Sequence, residues 1–257
     1  MERRTLLAAL GVAASTAGCT AGYAGSDAGA DTADGGDNAS DTDYERLPLA
    51  EQGVPPTICE EALKSDGIRA IGEPAFGAPG DWPASPDGYR PLTDDSTVIG
   101  LVLDGRARAY PLTVLNVHEI VNDSFGGPVL VSYCPICRSG MVAERLVDGE
   151  PATFDVSGLL WKPPRINTAA SEADDRVFSD REEGVSNSGN LVMYDDATGS
   201  YWSQMLAQAI CGPRAESRLT IRPSSVSTFG EWRADHPDTE VLLPPPRSAV
   251  VEPPITE

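Results

Sequence analysis

Two cysteines separated by two residues are the sharpest chemical feature of the sequence. Cys134 and Cys137 lie in the run TyrCysProIleCys at 133–137. Thiols at this spacing can bind one metal ion or form a disulfide with each other, and both uses depend on the thiolate. Pro135 lacks an N–H and fixes φ, which stiffens the loop between the sulfurs. The chain has no second Cys-x-x-Cys, which disfavours a four-cysteine zinc finger.

His118, one of only two histidines, is predicted to lie beside these thiols. A Gly126-Gly127 turn separates the strand that follows His118 from the strand that leads to Cys134. If these strands pair, His118, eight positions before the turn, and Cys134, seven positions after it, lie at the same end of the hairpin. Two thiolates and one imidazole suit Cu(I) or Zn(II). The first hypothesis is therefore a copper or zinc site formed by His118, Cys134 and Cys137, for metal handling or electron transfer.

Several other side chains are candidates for supporting roles. Carboxylates can orient a metal-bound imidazole through its second nitrogen, and amide or phenol groups can surround the site. The candidates for these roles are Glu119, Asn122, Asp123 and Tyr133. A thioether ligand or a pocket wall could adjoin the thiols, although core packing is the more common role of such residues. The candidates for these positions are Met193, Trp202 and Gln204.

Two other uses of the cysteine pair stay open. In the first, Cys134 and Cys137 exchange thiols and disulfides, because Cys-Pro-x-Cys resembles redox active sites. Against it, Gly140 weakens the helix that a thioredoxin-like site needs at the motif, and the sequence lacks a βαβ pattern. In the second, the pair is a structural disulfide in a non-catalytic binding domain. No nucleophile elbow, P-loop, dinucleotide fingerprint or zinc-protease motif names a reaction.

Cys59 and Cys211 are candidates for a disulfide with each other. They are left over once Cys134 and Cys137 are assigned, although four cysteines allow three pairings. An exported protein would meet the oxidising conditions that a disulfide needs. The long loop between them would give about 4–5 kcal/mol of stabilisation in the chain-entropy treatment, less any strain.

Short strands and turns dominate the elements that must position these residues. Asp104-Gly105 is a strong two-residue hairpin signal. Thr228 and Glu231 have the spacing of a capping box, which predicts the start of a helix. The pattern predicts an α+β fold, mainly antiparallel β-structure with a few short helices, in a single compact domain over residues 47–243.

The charge of the chain disfavours two classes of partner. Its 39 acidic and 19 basic residues give a net charge of −20. Nucleic-acid binding needs clustered Lys and Arg, so we expect none, and the same charge disfavours adhesion to an anionic membrane. Only Lys64 and Lys162 are lysines. An acidic, lysine-poor composition resembles the proteins of salt-loving archaea, in which high salt screens self-repulsion.

The N-terminal residues resemble an export signal with a lipid anchor. Arg3-Arg4 precedes a short apolar stretch and resembles a twin-arginine signal. The residues before Cys19 resemble a lipobox, so we expect residues 1–18 to be removed and Cys19 to carry lipid. The protein is thereby predicted to be anchored at the outer face of the cytoplasmic membrane. The segments predicted to flank the folded domain are an acidic disordered tether at 19–46 and a Pro-rich tail at 244–257.

Motifs spread through the folded part occur in a specific order. They are AlaArgAlaTyrProLeu at 107–112, HisGluIleValAsnAsp at 118–123, TyrCysProIleCys at 133–137, ValSerGly at 156–158, LeuValMetTyrAsp at 191–195, SerTyrTrpSerGln at 200–204 and GluTrpArgAlaAspHisProAspThrGluValLeu at 231–242. Together they resemble the domain of unknown function 3179 family, found in bacterial and archaeal exported proteins. The family has no established activity, so the resemblance implies no reaction. The sequence departs from the family pattern near 162–188, which is predicted to be a surface insertion.

Replacing Cys19 tests the predicted anchor. In Cys19→Ser the thiol that accepts the lipid is lost, so we expect the protein to move from the membrane fraction to the soluble fraction. Fractionation of host cells followed by immunoblotting measures this. Cys134→Ser is the matched control, because it removes a different thiol and should leave the protein with the membranes. Membrane retention of Cys19→Ser would show the anchor prediction to be wrong.

Overall fold

Three main β-sheets organise the residues that the structure describes. The structure is a computed structural model and describes residues 48–54, 56–60, 67–84, 86–161 and 189–252. The predicted signal peptide, Cys19, the tether and the insertion at 162–188 lie outside these ranges. None of the helices within them is long and apolar enough to cross a membrane.

The secondary-structure elements are short. The strands in the described ranges are β1 (Ile71–Glu73), β2 (Ala75–Gly77), β3 (Thr97–Leu103), β4 (Arg106–Pro111), β5 (Ile120–Ser124), β6 (Pro128–Cys134), β7 (Ser139–Glu144), β8 (Leu146–Val147), β9 (Glu150–Pro151), β10 (Phe154–Trp161), β11 (Asn190–Asp195), β12 (Tyr201–Ser203), β13 (Gln208–Cys211), β14 (Ser225–Thr228), β15 (Glu240–Leu243) and β16 (Ala249–Val250). The helices are α1 (Leu112–His118), α2 (Phe229–Asp235) and two 3-10 helices (Pro56–Glu60 and Pro79–Asp81).

The strands pair mainly with antiparallel neighbours. Sheet 1 has the order β16-β1-β5-β6-β7, sheet 2 the order β10-β11-β12-β13, and sheet 3 the order β14-β3-β4-β15-β2. In these sheets only the β1–β5 and β4–β15 pairs are parallel. The prediction of a mainly antiparallel β-fold with a few short helices is confirmed. That the sheets form a single domain stays a prediction.

Sheet 1 is the central layer, with sheets 2 and 3 on its two faces. Side chains along a strand alternate between faces. Leu130 of β6 lies in a core shared with Trp202 of sheet 2, whereas its neighbour Val131 lies in a core shared with Ile99 of sheet 3. Because both faces are covered, β6 is buried at consecutive positions. Cys134, an even number of residues after Leu130, lies in the core with sheet 2.

A disulfide attaches the N-terminal described segment to the outer face of sheet 2. Cys59, in the first 3-10 helix, is bonded to Cys211 at the end of β13, with 5.5 Å between the Cα atoms. The same helix packs Ile58 against Val192 and other apolar residues of sheet 2. The structure thus contains the candidate disulfide, which closes a loop of 152 residues.

The fold extends into the segment that was predicted to be a Pro-rich tail. Ala249 and Val250 form β16, which pairs antiparallel with β1 at the edge of sheet 1. The Val251 N–H also donates to the Ala70 carbonyl at 2.8 Å. The predicted domain end at Leu243 is therefore wrong by several residues. The prolines predicted an extended conformation for this segment. An extended segment can still form an edge strand, because an edge strand tolerates residues that lack a hydrogen-bonding N–H.

Two local predictions are confirmed. Asp104 and Gly105 both have positive φ, 50° and 74°, and join β3 to β4 in a hairpin, as a primed turn requires. Thr228 accepts a hydrogen bond from the Glu231 N–H, and the Glu231 carboxylate accepts one from the Thr228 N–H, so the capping box begins α2. Each signal spans at most four consecutive residues, so the turn and the helix start could be predicted from the sequence alone.

The indole ring of Trp232 in helix α2 packs directly on Gly100 of sheet 3. Trp232 is buried, and its Nε1–H donates to Thr239 Oγ1 at 2.8 Å. A Cβ atom at Gly100 of β3 would lie 2.3 Å from the Trp232 ring. The hydrogen bond holds the ring in place, so the ring cannot move aside without losing its partner.

Gly100→Ala should therefore destabilise the protein. The methyl group would overlap the fixed indole, and overpacking of this kind costs about 1–3 kcal/mol. Gly80→Ala is the matched control, because a Cβ atom there meets no atom within 4 Å. Denaturant unfolding monitored by tryptophan fluorescence measures both variants. Equal midpoints for the two variants would contradict the predicted overlap.

Candidate functional site

The Cys-x-x-Cys motif forms the turn between two strands of the central sheet. Cys134 ends β6 and pairs with Ser139, the first residue of β7. Arg138 has φ 53°, the left-handed conformation that closes this turn. Ile136, between the two cysteines, is 70% exposed. The motif thus brings two thiols to the end of sheet 1, with the tip of the turn in solvent.

The two thiols lie on one turn but differ in burial. Both are free, and Cys134 is 1% exposed whereas Cys137 is half-buried. Cys137 Sγ donates to the Gly189 carbonyl at 2.8 Å, and the Cys137 side chain influences the ionisation of Cys134. The pair can therefore form a disulfide within the turn.

Burial controls the ionisation of Cys134. It raises the pKa of the Cys134 thiol to about 11, and the neighbouring Cys137 side chain acts in the same direction. The backbone N–H groups of Cys137 and Leu191 act in the opposite direction, because they donate to the sulfur. At neutral pH Cys134 is therefore a neutral thiol whose thiolate, once formed, would have two donors.

A buried network of amides and hydroxyls borders the thiols. The Asn190 Nδ2 group donates to Ser139 Oγ and to Gln204 Oε1, both at 2.7 Å. Gln204 Nε2 donates to Ser132 Oγ at 3.2 Å, and the Met205 N–H donates to Asn190 Oδ1 at 2.8 Å. Because Ser132 and Ser139 belong to sheet 1 and Asn190 to sheet 2, the network joins the two sheets beside the cysteine turn.

Gly189 places its carbonyl against Cys137. Its φ is 139°, and a Cβ atom would lie 2.4 Å from the backbone of Trp161. Only glycine fits this close approach, so the residue that accepts the Cys137 hydrogen bond cannot carry a side chain. The chain then enters β11, which brings the Leu191 N–H to Cys134.

His118 occupies a separate set of hydrogen bonds. Its Nδ1–H donates to the Arg69 carbonyl at 2.7 Å, which leaves Nε2 to accept from the Tyr89 hydroxyl at 2.6 Å. Burial raises the pKa of Tyr89, so the phenol keeps its proton, and burial lowers the pKa of His118, so the imidazole is neutral. Neither ring nitrogen has a lone pair free for a metal in this arrangement.

The described residues contain no group of three or more His, Cys, Asp or Glu side chains that could hold a metal ion. The predicted convergence of His118 with Cys134 and Cys137 is not seen in this form. Strand β5 begins at Ile120, and Glu119 has φ 57°, so the hairpin stops before His118. His118 instead ends α1, and its ring binds Arg69 and Tyr89.

The predicted neighbours of the imidazole have other partners. Asp123 accepts two hydrogen bonds from Arg108, both at 2.8 Å, and one from Tyr110 at 2.6 Å. Asn122 bonds both backbone groups of Phe154, which joins sheet 1 to sheet 2. The Glu119 carbonyl accepts from the Tyr133 N–H at 2.7 Å.

Three residues were proposed for a ligand or a pocket wall. One of them, Gln204, belongs to the amide and hydroxyl network beside the cysteine turn. Met193 and Trp202 are buried in the core that also contains Cys134. Trp202 Nε1–H donates to Asp195 at 2.7 Å, so its polar atom has a structural partner. Sequence analysis missed Ser139, Gly189 and Asn190. No local pattern marks them, since Gly189 lies 52 residues after Cys137.

Comparison with known proteins identifies the family. A family model described as "Protein of unknown function (DUF3179)" matches residues 65–166 and 176–250. The match covers more than half of the chain, so the protein belongs to this family. The unmatched residues 167–175 fall within the predicted insertion. No curated protein and no solved structure matched the chain.

The buried neutral His118 predicts a pH-dependent stability. Its pKa in the folded protein lies below the ordinary value of about 6.5, so the unfolded chain binds the proton more readily. Stability should therefore fall as the pH decreases below about 6.5, by at most about 1.4 kcal/mol per pH unit for one proton. Denaturant titrations at intervals of about half a pH unit between pH 8 and pH 5 measure this change in the free energy of unfolding.

His118→Gln is the comparison variant. It should be less stable than the wild type at pH 8, because the imidazole hydrogen bonds are lost, and its stability should decline less steeply towards pH 5. An identical slope in the two proteins would contradict the assignment to His118.

Proposed function

We propose that this member of the DUF3179 family exchanges thiols and disulfides through Cys134 and Cys137. The observation that carries the proposal is the placement of two free thiols on one tight turn, one buried and one partly exposed. A structural disulfide would need neither surface access nor a free thiol state. Thiol–disulfide exchange needs both.

The reaction is balanced by a disulfide on a partner molecule. The two thiols of the pair lose two protons and two electrons as the Cys134–Cys137 bond forms. The partner's S–S bond breaks, and its two sulfurs gain the same protons and electrons and become thiols. In the reverse direction, a partner dithiol is oxidised and the pair returns to two thiols. The partner's own sulfurs therefore complete the step, and no other co-reactant is needed.

The surrounding structure replaces the helix that a thioredoxin-like site would use. In such sites the N-terminus of a helix stabilises the thiolate. Here the motif is a hairpin turn, and the N–H groups of Cys137 and Leu191 supply individual donors to Cys134. The objection raised by Gly140 applies to a thioredoxin-like fold and leaves this chemistry open.

The proposed setting is outside the cytoplasmic membrane, in an exported lipoprotein of a salt-loving archaeon. The Cys59–Cys211 disulfide supports an oxidising compartment. Arg3-Arg4 and the lipobox-like residues before Cys19 support export and anchoring. The net charge of −20 and the scarcity of lysine support high salt.

A copper site at the same thiols is a second candidate. It is favoured by the two N–H groups directed at Cys134, because a metal binds the thiolate that they stabilise. Cu(I) prefers soft thiolates, and the pair could hold it with two ligands. Zn(II) usually takes four ligands, and the described residues supply no third His, Cys, Asp or Glu. His118 would have to release Tyr89 to become a ligand.

A redox titration distinguishes these functions. The full chain, with Cys19→Ser to remove a further thiol, is equilibrated in mixtures of reduced and oxidised dithiothreitol, alkylated and weighed intact. We expect Cys134 and Cys137 to gain or lose alkylation together in one reversible two-electron transition. Cys134→Ser and Cys137→Ser should each abolish this transition.

A second measurement addresses the metal. Protein purified anaerobically from its own host is analysed for copper and zinc. Metal-free protein with a reversible transition supports the exchange function. Stoichiometric metal that is lost in both Cys→Ser variants, or thiols that stay fully alkylated at every potential, would overturn it.

A further inference from the structure

We infer that Cys137 is the thiol that attacks the partner and Cys134 the thiol that resolves the mixed disulfide. This order rests on the proposed function and specifies how the site would perform it. The second cysteine of the motif, rather than the first, would meet the partner.

Access to solvent separates the two roles. A thiol that attacks a partner's disulfide must align with the S–S bond of a second molecule, so its sulfur must be reachable. Cys137 is half-buried and follows the exposed tip residue Ile136. Cys134 is 1% exposed and lies in a core with Met193 and Trp202. A partner's sulfur can therefore reach Cys137 without unfolding the core, and cannot reach Cys134.

The buried thiol is well placed for the second step. It lies three residues before Cys137 on the same turn, and the pairing of Cys134 with Ser139 fixes that turn. The Leu191 N–H, the second donor to Cys134, belongs to sheet 2 and so does not depend on the turn that carries Cys137. The resolving sulfur therefore keeps a donor for its developing charge while the mixed disulfide exists.

Each step is balanced. Cys137 gives its proton to solvent, its sulfur bonds to one partner sulfur, and the other partner sulfur leaves as a thiolate and takes up a proton. Cys134 then gives its proton to solvent and bonds to the Cys137 sulfur. The first partner sulfur leaves as a thiolate and is protonated in turn.

Single-cysteine variants test this order. In a Cys19→Ser background, Cys134→Ser keeps Cys137 and Cys137→Ser keeps Cys134, and the Cys59–Cys211 disulfide leaves one free thiol in each. Each variant is mixed with 2,2′-dithiodipyridine, a neutral disulfide whose thiol product absorbs light. We expect the Cys134→Ser variant to react at least about tenfold faster, because its remaining thiol is accessible.

Unfolding provides the control for burial. In guanidinium chloride both single-cysteine variants should react at similar rates, since burial no longer separates the thiols. Wild type mixed with the same probe should release two thiol products for each protein chain and end as an internal disulfide.

The outcomes separate the two proposals. Faster reaction of the Cys137→Ser variant, or equal rates in the folded state, would overturn the order. The proposed function would still stand if wild type formed the internal disulfide. If wild type stopped at a mixed disulfide and never formed the internal bond, the proposed function itself would fail.

Discussion

The side-chain amide of Asn190 fixes the position of the thiol turn. It donates to Ser139 and Gln204 and accepts from the Met205 N–H, so all of its hydrogen bonds join parts of the chain that are distant in sequence. A buried amide that lost one of these partners would carry an unsatisfied polar group, which is costly. Its neighbours in the chain, Gly189 and Leu191, are thereby held where their backbone groups meet the two sulfurs.

The layered arrangement explains why the two cysteines differ. Sheet 1 is covered on both faces, so a strand end inside it is buried even where the chain is about to turn. Cys134 still belongs to the strand and packs in the core, whereas Cys137 lies within the turn and is only partly covered. The geometry of one hairpin thus gives two chemically identical groups different surroundings.

Apart from the Cys59–Cys211 disulfide, the features that could be predicted from the sequence are local, and the long-range partners of the thiols were missed. The hairpin register was predictable, since Ile120 pairs with Ser132 across the Gly126-Gly127 turn as counting from the turn requires. The count failed for His118 because the positive φ of Glu119 ends the ladder before it. Gly189 and Leu191, whose backbone groups interact with the two thiols, follow the predicted insertion, and no spacing rule links residues that meet across sheets.

The described residues that flank positions 162–188 lie next to each other. Trp161, at the end of β10, pairs with Asn190, at the start of β11, in an antiparallel hairpin. The cost of closing a loop grows slowly with its length, so residues can be added between these two positions without changing the register of either strand. Gly189, the first described residue after this stretch, accepts the hydrogen bond of Cys137. Family members with identical sheets could therefore acquire different neighbourhoods around the same thiol through changes in the length and composition of one connection.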